Sequence, residues 1–377
     1  MTPSEDLEFF RATTARFLAD QVPPVALRAL RDDPSGLPPD YWRRGAELGW
    51  TSLLVPEEHG GGSISGAGLV DLGVVAYEIG HHAAPGPLVT TNVVASALSD
   101  AGDDASAALV GDLVAGTAIA SWCYGEPPPG DRLGDVALDV RADAGDLVLN
   151  GVKRPVEAAA QADRFLVTGR TGEGLTQVVV PADAPGVSIA PMQSVDLTRR
   201  FGVVTFDDVR VPVDAAVGEI GGADEQVERQ VQIAITLLSA EAVGAMQRAF
   251  DMTVEWAFER YSFGRPLASY QELKHRFADM KSWLEGSHAI TDAALEAVAA
   301  GAPDAAELAS AAKAFTGEYG TELVQDCVQI HGGIGVTFDH DIHLALRRVT
   351  LNRSLLGTPI DHHLRLAGLV EQRTVLR

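Results

Sequence analysis

No stretch of this 377-residue chain approaches the roughly 20 consecutive apolar residues that a membrane-spanning helix needs. No membrane span is therefore expected. Cysteine is nearly missing: Cys123 and Cys327 stand far apart, with no signal-peptide pattern ahead of them. That rules out a disulfide framework and suits a reducing cytoplasm. Positive charge is also scarce, with 29 Lys and Arg against 52 Asp and Glu for a formal net charge of −23. Neither nucleic acid nor an anionic membrane surface would attract such a chain. An anionic ligand would have to be held by a local basic patch. What is present, 46% hydrophobic and 21% charged residues, is ordinary for a globular protein, and the length allows two or three domains.

Residues 1–118 read as a helical domain. In EDLEFFRATTARFLADQV, Leu7, Phe10, Phe17 and Leu18 recur at helical spacing around Thr14, and Pro23 and Pro24 stop the run. A second helix is expected in YWRRGAELG, ended by Gly49. The glycines of PEEHGGGSISG neither follow a strand nor open a helix, so they are read as a loop and not as a dinucleotide fingerprint. Residues 119–222 switch to short β-branched runs, DVALDV, DLVLNGV, RFLVTGR, TQVVVPA, GVSIA and GVVTFDDVRV, which predict a small antiparallel barrel or sandwich. No helices interleave, which argues against a Rossmann domain. Residues 223–377 return to the helical period. The run from Ala223 to Phe263, broken only by Gly244, predicts one helix of about 60 Å, a length usually found in bundles. The fold class is thus α+β: N-terminal helices, a middle β-barrel or sandwich, and a C-terminal four-helix bundle.

Two segments carry most of the functional information: ERYSFGRPLASYQELKHRFADM at Glu259–Met280 and QIHGGIGVTFDHDIHLALRRVTLNRSLLGT at Gln329–Thr358. With PEEHGGG, YEIG, NGVK and FDDVRVP, occurring in family order, they resemble the acyl-CoA dehydrogenases over nearly the whole chain. The resemblance implies an FAD-dependent α,β-dehydrogenation of an acyl-CoA thioester. A carboxylate base takes the α-proton while the β-hydrogen leaves as hydride to the flavin, and electron-transfer flavoprotein is the implied acceptor. It also implies that Arg260, Phe263, Gln271, Gln329, Gly332 and Gly333 contact the FAD of a neighbouring subunit, with Thr358 near a ribityl or adenine-side group. An Arg at a helix end can grip pyrophosphate through its planar fork, and glycines let backbone come close. The plainer alternative is that Arg260 pairs with an acidic neighbour and the glycines only turn the chain.

Other positions depart from the family pattern. The usual catalytic Glu before Gly-Thr is Leu356, and the alternative base position early in the long helix is Ala234. In WCYGEPPPGD, Gly125 stands where the family carries a flavin-bonding Thr, and Pro155, Val156 and Glu157 replace its Trp-Ile-Thr. Backbone groups holding an FAD despite sequence drift is the alternative. Glu241, set among small and apolar residues seven positions after Ala234, is the candidate base that remains, or else a structural acid paired with Arg248 or Arg260. His331, His340 and His343 lack zinc-site spacing and read as a polar cap and contact surface, so no metal is expected. Asp361-His362-His363 reads as a hydrogen-bonding helix start.

Keeping one set of flavin contacts while losing the other resembles the short subunit of heteromeric α2β2 steroid-side-chain acyl-CoA dehydrogenases, whose second, similar subunit supplies the rest of the FAD site. Two rivals stand beside that reading: a self-sufficient homo-oligomer using Glu241, and a non-catalytic scaffold subunit.

Overall fold

The computed structural model describes residues 5–33, 35–38, 40–102, 104–128 and 133–375. Pro129, Gly130 and Asp131 of the loop read above lie outside them. Six helices come first: α1 (Glu5–Gln21), α2 (Pro24–Ala29), α3 (Tyr41–Glu47), α4 (Gly68–His81), α5 (Leu88–Ala101) and α6 (Asp104–Val114). α1 buries Leu7, Thr14 and Leu18, one face of its 3.6-residue repeat. Pro24 opens α2, where a missing amide costs nothing. Trp50 lies under α1 and α3, its rings edge-on to Phe17 and Tyr41.

Eight strands follow: β1 (Ala120–Cys123), β2 (Asp139–Asp143), β3 (Asp146–Glu157), β4 (Arg164–Arg170), β5 (Leu175–Pro181), β6 (Val187–Met192), β7 (Phe201–Pro212) and β8 (Ala216–Val217). They form one sheet in the order β6-β7-β3-β2-β4-β5-β8, with β1 beside β4. Pairing is antiparallel except that β1 and β2 run parallel to β4, a departure from the all-antiparallel expectation. DVALDV is another: only Asp139 and Val140 of it join β2. The amides of Ala137 and Leu138 bond the Glu126 carboxylate at 2.9–3.0 Å, so a side chain takes the donors a ladder would have used.

The last third holds α7 (Asp224–Glu259), a small hairpin of β9 (Tyr261–Ser262) and β10 (Arg265–Pro266), then α8 (Gln271–Ala299), α9 (Ala305–His331), α10 (Ile342–Ser354) and α11 (Pro359–Val375). α7 stops four residues short of Phe263, because Arg260 turns extended and Phe263-Gly264 close the hairpin. Five helices thus occupy the region read as a four-helix bundle. Val243, Met246, Met280, Leu284, Leu323, Val324 and Val349 pack its core. α4 crosses α7 with backbones in contact: a Cβ on Gly80 would lie 1.8 Å from Glu241 O, and one on Gly244 would lie 2.0 Å from Tyr77 O. The chain has an N-terminal helical domain, a middle sheet domain and a C-terminal helical domain, and no described helix is long and apolar enough to cross a membrane.

Candidate functional site

The four departures from the family pattern come together in space. Gly125 after β1, Pro155 and Glu157 on β3, Ala234 on α7, and Leu355, Leu356 and Gly357 after α10 all line one cavity of about 160 Å³. Its other walls include Trp122 and Tyr124, whose rings stack at 4.6 Å, with Phe201 and Leu238. Small-molecule sites commonly enclose about 300–1,000 Å³. The wall at Gly125 is close against β3: its carbonyl accepts a bond from Arg154 N at 2.8 Å, and a Cβ there would lie 2.9 Å from Arg154 O. A threonine at 125 would need the Arg154 backbone to shift, so the family's flavin-bonding hydroxyl is not accommodated with the backbone in place.

Both carboxylates on the cavity wall are engaged. Glu126 bonds the buried Lys153 ammonium at 2.6 Å besides its two backbone amides. Glu157 receives Arg199 Nη2 at 2.6 Å and Nε at 2.7 Å. Burial pushes the Glu157 carboxyl above its ordinary range while Arg199 pulls it back. From there a chain of charge runs inward. Arg199 also donates to Glu241 at 3.1 Å, Arg348 donates to Glu241 at 2.5 Å and to Asp196 at 2.5 Å, and Asn352 Nδ2 donates to Glu241 at 3.1 Å. Burial opposes the charge on Asp196, yet Arg348 and the Thr198 amide hold it below the usual carboxylate range. Three carboxylates therefore share two guanidiniums, with Glu157 at the cavity end.

That network corrects the expected partners of Glu241. Neither Arg248 nor Arg260 reaches it; Arg199 and Arg348, 42 and 107 residues away in sequence, do. Its carboxylate faces this network, and the cavity wall is made without it. Sequence reasoning did not find Arg199, Arg348, Asp196 or Asn352, because pairing across such separations leaves no local period. A doublet such as Arg199-Arg200 or Arg347-Arg348 inside an otherwise apolar run was the one available signal.

The residues assigned to a neighbour's FAD lie elsewhere, and they are exposed: Arg260, Phe263, Gln271, Gln329, Gly332 and Gly333. Trp256 joins their two motifs, lying 5.9 Å beneath the Arg260 guanidinium and stacked at 5.4 Å on His331. Phe263 and Gly264 both take positive φ, 49° and 81°, as a two-residue hairpin turn demands, and the Phe263 ring is 98% exposed. A Cβ at Gly332 or Gly333 would meet nothing within 4 Å, so backbone there is open to approach. This face fits the donor side of a cofactor site: a fork of donors, bare backbone and an uncovered ring. Thr358 is placed differently. Its hydroxyl and amide both bond Asp361, at 2.6 and 2.8 Å, capping α11.

His340 accepts the Ile342 amide at the start of α10 at 3.2 Å, His331 Nδ1 lies 2.8 Å from Cys327 O, and His343 Nε2 lies 3.3 Å from Phe338 O. His362 Nε2 lies 2.9 Å from Leu356 O, and buried Lys313 donates to Arg353 O at 3.2 Å and Gly357 O at 3.0 Å. These two hold the 353–358 turn in which Leu356 adopts φ 53°.

Two family models match: "Acyl-CoA dehydrogenase, N-terminal domain" over residues 4–115, and "Acyl-CoA dehydrogenase, C-terminal domain" over 226–359. Acyl-CoA dehydrogenase IpdE2 of Mycolicibacterium smegmatis is 30% identical over 368 residues, covering 97% of this chain and 99% of that one. Its namesake in Mycobacterium tuberculosis is 30% identical over 360 residues, 95% of each. Among solved structures, a single-residue variant of the Tcur3481-Tcur3483 steroid ACAD superposes with a TM-score of 0.89 at 28% identity, covering 98% of this chain and 99% of that one. The chain belongs to the acyl-CoA dehydrogenase family.

Proposed function

We propose that this chain is one subunit of a heteromeric, FAD-dependent acyl-CoA dehydrogenase, and that it completes the FAD site of a second, similar subunit. The observation that carries the reading is the cavity: Gly125, Pro155, Ala234 and Leu356 share one small space whose two carboxylates are already bound. The exposed face at Arg260, Phe263, Gln271, Gln329, Gly332 and Gly333 supports the other half of it. A ring left bare at a positive-φ position is costly unless something covers it. Hydride acceptance belongs to FAD when bound. Arg260 would hold pyrophosphate, the two glycines would let backbone amides approach, and the partner would supply the base. Thr358 contributes through its cap on α11, and Glu241 is a positioning residue for α7, α10 and the sheet domain. An acyl-CoA thioester is the substrate class, with electron-transfer flavoprotein as acceptor. The steroid description of one structural relative supports a steroid side-chain ester.

The test is purification of the chain alone and co-expressed with a longer dehydrogenase-like partner, followed by flavin absorbance. Flavin is expected only in the mixed assembly, at half the content of a homotetramer. Stoichiometric FAD in the homomer would overturn the proposal and favour the self-sufficient enzyme. A mixed assembly free of flavin would favour the scaffold.

A further inference from the structure

The last turn of α4 reads Tyr77-Glu78-Ile79-Gly80-His81-His82, which places Glu78, His81 and His82 at i, i+3 and i+4 on one helix face. One ligand atom from each lies within 4.8 Å of the others. His81 Nδ1 is buried with no hydrogen-bond partner. His82 Nδ1 lies 2.9 Å from Glu78 O. Glu78 has one oxygen fixed by Arg11 Nε at 2.7 Å and the other 3.7 Å from His82 Nδ1. Both imidazoles border a cavity of about 230 Å³ that also meets Arg248, Met252 and Asp341, so an ion has a way in.

We propose that Glu78, His81 and His82 form a zinc-type divalent metal site, with two imidazole nitrogens and one carboxylate oxygen as ligands and water completing the set. Two N donors and one O donor suit Zn²⁺, whereas Mg²⁺ and Ca²⁺ want oxygen alone. On a tetrahedral ion with bonds of roughly 2.0–2.1 Å the ligand atoms sit about 3.3 Å apart. Side-chain rotation must close the remaining distance with the helix in place. Arg11 does not block the site, because it occupies one carboxylate oxygen and orients the other. The consequence is local: Ala83, at φ 48°, and Ala84 follow directly, and their carbonyls accept Thr198 Oγ1 at 3.0 Å and Arg348 Nη2 at 2.9 Å. A metal here would pin the end of α4 where the three domains meet.

The test is calorimetric titration of the metal-stripped, untagged full chain with Zn²⁺ against excess Mg²⁺, with the visible ligand-field bands of Co²⁺ as a second readout. One Zn²⁺ per chain is expected, weakened at least about 10-fold in His81→Ala and in His82→Asn. His81→Ala also removes ring contacts with Tyr77 and His82, so its binding is compared only where the metal-free variant stays folded. Should it fail to fold, His82→Asn and Glu78→Gln carry the same comparison. Absence of saturable binding, or binding that survives these substitutions undiminished, overturns the proposal.

Discussion

Arg348 donates to Glu241 and to Asp196 at 2.5 Å each while its own side chain is fully buried, so one guanidinium ties α10 to both α7 and the sheet domain. Breaking a buried pair from one side leaves an uncompensated charge and costs about 3–5 kcal/mol. Arg348→Met is expected to destabilise the chain by that order in denaturant unfolding. Glu241→Gln should destabilise it as well, while the turnover of properly folded mixed enzyme stays near that of the parent. Loss of turnover in folded Glu241→Gln enzyme would restore this residue as a base.

Arg260 is exposed, and its guanidinium lies over Trp256. Arg260→Ala should leave the melting temperature of the isolated chain unchanged and lower the flavin content of the mixed assembly. Absorbance of the desalted complex measures it. Unchanged flavin would mean that the face around Trp256 is not part of a cofactor site.

Gly125 is a steric requirement. With its Cβ placed 2.9 Å from Arg154 O, Gly125→Thr restores the family's residue type but strains the β1–β3 contact. A loss of roughly 1–3 kcal/mol is expected from such overpacking, with no gain of flavin. A stable Gly125→Thr chain that binds FAD by itself would refute the closed-cavity reading.

Acid sensitivity should come in part from His362. Its Nε2–H bonds Leu356 O and its buried Nδ1 has no partner, so burial, reinforced by Lys313, lowers its pKa from 6.5 to about 4. The unfolded chain therefore binds the extra proton first. This contribution to stability is fully present above pH 6.5 and is lost as pH falls through about 4. Urea unfolding of parent and His362→Gln between these limits should show a shallower pH slope in the variant.

Much of the architecture was legible from local pattern: Leu7, Thr14 and Leu18 mark α1, and the short apolar run of RFLVTGR marks β4. β1 escaped because Trp122 and Cys123, with Tyr124 after them, look like the start of a loop, and the strand character of the first two comes from pairing with Leu166 and Val167 some forty residues away. The positions lacking family residues were likewise readable one by one. That Gly125, Pro155, Ala234 and Leu356 border the same space was not, since sequence distance says nothing about convergence. The partners of Glu241 are hidden in the sequence for a related reason: the guanidiniums that reach it come from the sheet domain and α10, not from its own helix.

The α4–α7 crossing at Gly80 and Gly244 has no layer of side chains between the two helices. A seam without such a layer can neither hinge nor slide by small steps, because any shift drives one main chain into the other. The two helices therefore act as one rigid piece, and even an alanine at either glycine would wedge the seam apart.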